Sequence, residues 1–240
     1  MRLLIDSLLD WVYPPRCMSC RNPLPLEKSR LRNLWLCAHC EGLFLPLETP
    51  GCEICSVPVK EGVSVCASCY GKSFFFLHNR SAFAYDGLIR DMIHEIKFRR
   101  RRHVAQGLGR LWADMYKKSI PTDALLTPLP MHRSKKRYRG FDQAIVMAKA
   151  FAEATGNPYC NILERTKDTP PQSGLHPSQR IDNVNGAFKI KPGSKPGQKY
   201  VLIDDIYTTG ASLNECAKIL KLHGALEVYA ITLAIAVKKP

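Results

Sequence analysis

Residues Val201–Leu213 read VLIDDIYTTGASL, and this stretch decides the fold. Tyr200-Val201-Leu202-Ile203 is apolar and partly β-branched, as a buried parallel strand requires. Asp204 and Asp205 then fall where such a strand leaves the sheet, at the edge where open α/β folds bind ligands. Thr208, Thr209, Gly210, Ala211 and Ser212 make a small-residue turn that runs into a helical stretch, Leu213–Leu220. A turn at a helix start offers backbone N–H groups, hydroxyls and the positive end of the helix dipole, which together suit a phosphate. Carboxylates beside that cradle suit the hydroxyls of an attached sugar, so the expected ligand is a ribose 5-phosphate. A generic α/β domain can also carry an Asp pair at a strand end as a helix cap. The turn and helix in register favour the ligand.

Outward from this motif, strands and helices alternate. Arg80–Tyr85 reads as a strand, Leu88–Phe98 and about 104–118 as helices, and Ala124–Leu129 as a second core strand. Gln143–Thr155 is a strong helix stopped by Gly156-Asn157-Pro158. Arg165–Ala187 is polar and proline-bearing, a long loop or irregular flap, and Lys191–Lys199 is a turn-rich link. Leu226–Val237 supplies a last buried strand. The alternation predicts an α/β fold with a mostly parallel sheet flanked by helices.

The front of the chain is different. Eight of ten cysteines form four C-x-x-C pairs, Cys17/Cys20, Cys37/Cys40, Cys52/Cys55 and Cys66/Cys69. Two such knuckles complete a tetrahedral four-cysteine zinc site, so the pattern predicts two closed, structural Zn2+ ions. Sequential pairing places Cys17, Cys20, Cys37 and Cys40 on one ion and Cys52, Cys55, Cys66 and Cys69 on the other. A cross-braced arrangement is the alternative. A disulfide scaffold needs export, and Met1–Pro15 lacks the small-residue cleavage site of an export signal. That opening segment reads instead as a short amphipathic helix, docked on the body or lying on a membrane surface. The module boundary falls near Arg80, giving a helix plus double zinc ribbon over 1–78 and a second domain over 79–240. Cys216, on an apolar stripe, and Cys160, in a short apolar patch, read as ordinary packing residues.

The hydrophobic fraction of 45% supports a real core, and no apolar run reaches the roughly 18 residues of a membrane span. The formal net charge of +14 suits a polyanionic partner, although a dispersed basic surface would also aid solubility. Two clusters stand out, Lys97–His103 and Pro130–Gln143. Arg100–Arg102 read as solvated surface. Arg137 and Arg139, flanking Gly140-Phe141 on the ligand edge of the sheet, read as functional.

VLIDDIYTTGAS resembles the phosphoribosyl pyrophosphate (PRPP) motif of the type I phosphoribosyltransferases. The resemblance assigns Asp204 and Asp205 to the ribose hydroxyls, and Thr208, Thr209, Gly210, Ala211 and Ser212 to the 5-phosphate. The order of four zinc knuckles, IKF, PLPMHRSKKRYRGFDQA, RTKDTPPQSGLHPSQRIDNVNGAF and the PRPP motif is similar to the ComF family of competence- and GntX-related proteins. This implies a type I phosphoribosyltransferase-like domain behind a double zinc ribbon, with PRPP bound as its Mg2+ complex. Lys97, Arg137 and Arg139 then become candidates for stabilising the departing pyrophosphate. Where the family carries Arg-Gly-Phe-Asn-Gln, this chain has Asp142 in place of the Asn. Thr208 stands where purine-salvage relatives carry an Asp base, which argues against hypoxanthine or guanine as acceptor. The resemblance further implies single-stranded DNA and DNA-uptake machinery proteins as partners. It also implies a cytoplasmic location with peripheral contact at the inner membrane.

Overall fold

The computed structural model describes residues 16–24, 36–47, 51–168, 183–192 and 197–237. The amphipathic segment 1–15, most of the expected flap (169–182) and residues 193–196 of the link lie outside these.

In the ribbon region the described helix is a single turn, α1 (Ala38–Glu41), capped by the Cys37 side chain. Four parallel strands form the main sheet: β1 (Asn79–Ala84), β2 (Leu125–Pro128), β5 (Lys199–Tyr207) and β6 (Glu227–Ile235), in the order β1-β6-β5-β2. The long central strands β5 and β6 alternate their apolar side chains between two faces. Val201, Ile203, Ile231 and Leu233 join one core, and Tyr200, Leu202, Val228 and Ala230 join the other. Apolar residues on both faces are what a doubly covered parallel sheet demands. The first core is closed by helices α2 (Gly87–Phe98), α3 (Arg102–Tyr116) and α5 (Gln143–Thr155). The second is closed by α6 (Ala211–Leu222), whose Leu213, Cys216, Ala217 and Leu220 are buried.

Two contacts fix the helical layer. A Cβ at Gly109 of α3 would sit 2.6 Å from the Met147 carbonyl oxygen of α5, so only glycine allows that close approach. Beside it Trp112 meets Phe151 edge-on at 5.4 Å. Helix α5 has the bounds its sequence predicts, because Asp142 caps its start and Gly156 ends it in the left-handed region at φ 79°.

Three features differ from the sequence reading. The basic segment after β2 is helical, α4 (Arg133–Arg139), capped by the His132 side chain and closed by Gly140 at φ 85°. The expected flap is flanked by a short antiparallel pair, β3 (Leu163–Arg165) with β4 (Phe188–Ile190). Strand β5 also continues past the acid pair, with Ile206 and Tyr207 still registered on Ala234 and Ile235 of β6. On its other edge, β2 pairing stops at Pro128 opposite Ile203. Asp204 and Asp205 therefore leave the sheet on the β2 side only, still held by β6. No described helix is long and apolar enough to cross a membrane.

Candidate functional site

The early end of β2 opens a cleft of about 160 Å3 beside the last turns of β5. Its walls carry Lys97, Lys135, Arg139, Asp142, Gln143, Arg165, Asp204 and Ser212. Lys97, from the last turn of α2, places Nζ 2.6 Å from Asp205 Oδ2. Gln143 donates from Nε2 to the same oxygen at 3.0 Å, and Arg139 donates from Nη1 to Gln143 Oε1. Burial alone would raise the Asp205 carboxyl, but Lys97, Gln143 and Arg139 outweigh it and hold it below the usual carboxylate range. Asp204 has the opposite fate: burial, then the Asp205 charge, push it well up. The backbone N–H of Asp205 donates to Asp204 Oδ1 at 2.9 Å, which holds the Asp204 carboxylate against its neighbour's backbone.

The turn beyond β5 follows the same logic. Gly210 sits at φ 73° and caps α6 without a side chain, while Ala211 N–H donates to Thr209 Oγ1 at 3.4 Å. A helix start of this kind keeps the positive dipole end facing outward for an anion. A small cavity there is lined by Asp204, Tyr207, Thr208, Gly210, Ala211 and Ser212, so Asp204 and Ser212 are shared between the cleft and the turn.

Of the three cations singled out in the sequence, Lys97 and Arg139 line the cleft, whereas Arg137 is exposed on α4 and does not. Lys135 and Arg165 were missed. Lys135 lies two residues from Arg137 in one polar run, and Arg165 reaches the cleft from β3, its guanidinium 5.2 Å over the Phe188 ring. Asp142 is spent locally: it accepts from the backbone N–H of Ala144 (3.0 Å), Met131 (3.2 Å) and Ile145 (3.3 Å). Its extra charge relative to Asn thus serves a helix cap.

The cysteines gather as two sequential sets, Cys17, Cys20, Cys37 and Cys40, and Cys52, Cys55, Cys66 and Cys69, with sulfurs within 4.8 Å of one another in each. Zn–S bonds of about 2.3 Å in a tetrahedron put sulfurs about 3.8 Å apart. Cys20–Cys37 and Cys55–Cys66 each stand at 3.7 Å. The donor set and its spacing fit two structural zinc ions. The two sites share most of their internal bonds. Cys17 N–H donates to Asn22 O at 2.7 Å and Cys52 N–H to Val57 O at 2.8 Å. The residue after each first knuckle, Arg21 or Ser56, has φ of 66° or 69°. Cys37 N–H donates to Cys17 Sγ at 3.5 Å, and Cys66 N–H to Cys52 Sγ at 3.4 Å. Against burial, these N–H groups bring the Cys17 thiol down to about 6 and the Cys52 thiol to about 7. That favours the thiolates a metal needs.

A parallel sheet flanked by helices, with an acid pair and small-residue turn ending β5 and two four-cysteine ribbons in front, is a type I phosphoribosyltransferase-like α/β protein. The comparisons agree. Residues 8–70 match the double zinc ribbon domain family, and residues 141–240 match the phosphoribosyl transferase domain family. Competence protein F of Haemophilus influenzae is 26% identical over 92% of this chain and 97% of its own length. Competence protein ComFC of Streptococcus pneumoniae is 29% identical over 82% of this chain and 86% of its own. DNA utilization protein YhgH of Escherichia coli is 26% identical over 90% and 94%. A solved allosteric regulatory enzyme of purine biosynthesis aligns at 22% identity over 65% of this chain and 31% of that one, with a TM-score of 0.42. Over most of its length the chain is thus similar to competence protein F, ComFC and YhgH, and it carries a double zinc ribbon domain and a phosphoribosyl transferase domain.

Proposed function

We propose that this chain binds PRPP as its Mg2+ complex and single-stranded DNA, and acts in natural transformation and DNA uptake at the cytoplasmic side of the inner membrane. The observation that carries the PRPP reading is the Asp204–Asp205 pair at the one-sided opening of the sheet, ringed by Lys97, Lys135, Arg139 and Arg165. In this reading the two carboxylates orient the ribose hydroxyls, and the Thr208–Ser212 turn holds the 5-phosphate. The cations neutralise the pyrophosphate. Magnesium, if bound with the ligand, would supply further charge neutralisation there. Calorimetry on zinc-loaded protein should detect PRPP–Mg2+ binding, and the double change Asp204→Asn, Asp205→Asn should abolish it with two zinc ions retained. An unmodified chain that gives no binding heat and no ligand-induced thermal shift would sink the proposal.

The DNA half of the proposal draws on the net charge of +14, the names of the relatives and one exposed surface. Phe98 and Tyr138 are both more than 60% exposed, and Arg100 stacks on Tyr138 at 5.9 Å while donating to its carbonyl at 2.8 Å. Exposed aromatics beside a run of arginines suit stacked bases and a phosphate backbone. Fluorescence anisotropy with an oligonucleotide should show affinity falling steeply with salt. Charge reversal across Arg99–Arg102 and Lys135–Arg139 should remove it.

The intact ring of cations around the acid pair also supports a second reading, a working phosphoribosyltransferase with an unidentified acceptor. Pyrophosphate release on adding candidate acceptors separates the two.

A further inference from the structure

Tyr207 is the last residue of β5 and only 4% exposed. Its ring is held from two sides. On one side it shares a core with Cys52, Cys55, Cys69 and Phe76. On the other side the ring lies directly under the phosphate turn. A Cβ at Gly210 would fall 2.5 Å from Tyr207 Oη and 2.8 Å from its Cζ. The glycine is thus required twice, by its φ of 73° and by the phenol beneath it. The Tyr207 backbone gives the ring a fixed root, its carbonyl accepting from Ala236 N–H at 2.9 Å.

A second link runs beside the first. The segment leaving Cys69 donates Phe75 N–H to Asn214 Oδ1 at 2.7 Å, and Asn214 N–H donates to Gly210 O at 2.8 Å. Ribbon, tyrosine, turn and first turn of α6 make a closed circuit. The first ribbon stands outside it, because Cys17 and Cys40 belong to the core on the opposite sheet face.

We propose that Tyr207 is a positioning residue through which the second zinc ribbon holds the phosphate-binding turn in shape, so that zinc at Cys52, Cys55, Cys66 and Cys69 and an anion at Thr208–Ser212 stabilise each other. The proposal rests on the PRPP reading above. A zinc ion keeps the four sulfurs drawn together in the core that the ring shares. Without it the floor under Tyr207 loosens and the turn loses its fixed N–H directions. Coupling between two sites is reciprocal, so ligand at the turn must protect that ribbon by the same factor.

The test uses the full-length, zinc-loaded chain. By calorimetry, Tyr207→Phe should bind PRPP–Mg2+ like the parent, because the ring is kept. Tyr207→Ala should bind about tenfold more weakly with both zinc ions present. In the parent chain, mass spectrometry of cysteine alkylation during chelator challenge should show PRPP–Mg2+ slowing the labelling of Cys52, Cys55, Cys66 and Cys69. Labelling of Cys17, Cys20, Cys37 and Cys40 should not change. If PRPP–Mg2+ does not bind the parent chain, the reading of the site falls and this inference with it. If it binds, but both ribbons respond alike or Tyr207→Ala binds as tightly as the parent, the inference alone is overturned. Should Tyr207→Ala fail to fold, the labelling contrast in the parent chain decides the matter.

Discussion

The two zinc ribbons have nearly the same internal bonds and quite different attachments. The first is seated by apolar contact, with Met18 and Leu36 in the helical core and Phe44 meeting Phe83 edge-on at 5.5 Å. Its backbone tie is Leu47 N–H to Ala82 O, and its charged tie is Arg21 to Glu95 at 3.7 Å. The second is sewn on by a buried polar network. Asn79 N–H donates to Ile54 O at 2.6 Å and Ser56 Oγ donates to Asn79 O at 2.7 Å. Asn79 Nδ2 donates to Cys55 O at 3.2 Å and to Ser81 Oγ at 2.8 Å, and Ser81 Oγ meets Thr232 Oγ1 at 2.7 Å. Metal geometry is therefore a local property of the C-x-x-C knuckle. What the knuckle does for the molecule depends on the residues that follow it.

The contrast can be broken most severely at the metal. Cys55→Ser should lose one zinc and destabilise the fold by more than about 4 kcal/mol, taking PRPP binding with it. Cys20→Ser should lose one zinc as well, yet leave PRPP affinity in place. Zinc content, thermal unfolding and calorimetry on the pair read this difference directly, and equal loss of affinity would erase it. Next in size is Asn79→Ala, which leaves Cys55 O and Ser81 in a dry site and should cost about 2–3 kcal/mol in urea unfolding. A cost near zero would mean that the network is not what secures the second ribbon.

A smaller effect comes from His78, beside Asn79, whose burial and the nearby Arg80 charge lower its pKa to about 4 from the ordinary 6.5. The folded state keeps it neutral while the unfolded chain takes up a proton. Its contribution is therefore complete above about pH 6.5 and drains away as pH falls toward 4. His78→Gln should flatten that part of the stability curve relative to the parent, and an unchanged slope would exclude His78 as its source. Least affected is Arg21→Ala, where a half-exposed ion pair should be worth no more than about 0.5 kcal/mol in the same unfolding measurement.

How far the sequence could be read depended on how local each signal was. Asp142 and Gly156 punctuate α5, and the cysteine spacing marks the ribbons, so both are visible in short windows. Val201–Ser212 is visible for the same reason. Helix α4 is not, because seven polar and basic residues carry no apolar stripe, and its stops, His132 and Gly140, act only through geometry. Strands β3 and β4 have three residues each, too few to show a period. The strand running past Asp205 depends on pairing with β6, which lies far along the chain. The same distance hides the cleft. Lys97 meets Asp205 across more than a hundred residues, and Lys135 and Arg165 converge only once the sheet has formed.

The edge position of β1 has a consequence for the order of assembly. β1 emerges directly behind the second ribbon and pairs with β6, the last described strand. Thr232, which completes the Asn79–Ser81 network, also lies in β6. On a growing chain the knuckles can therefore capture metal from local sequence long before their seats exist. Contacts of such long sequence separation form late. Between those two events the apolar undersides of both ribbons have no sheet to rest on. A nascent molecule can therefore hold its zinc before it has built the domain that zinc will brace.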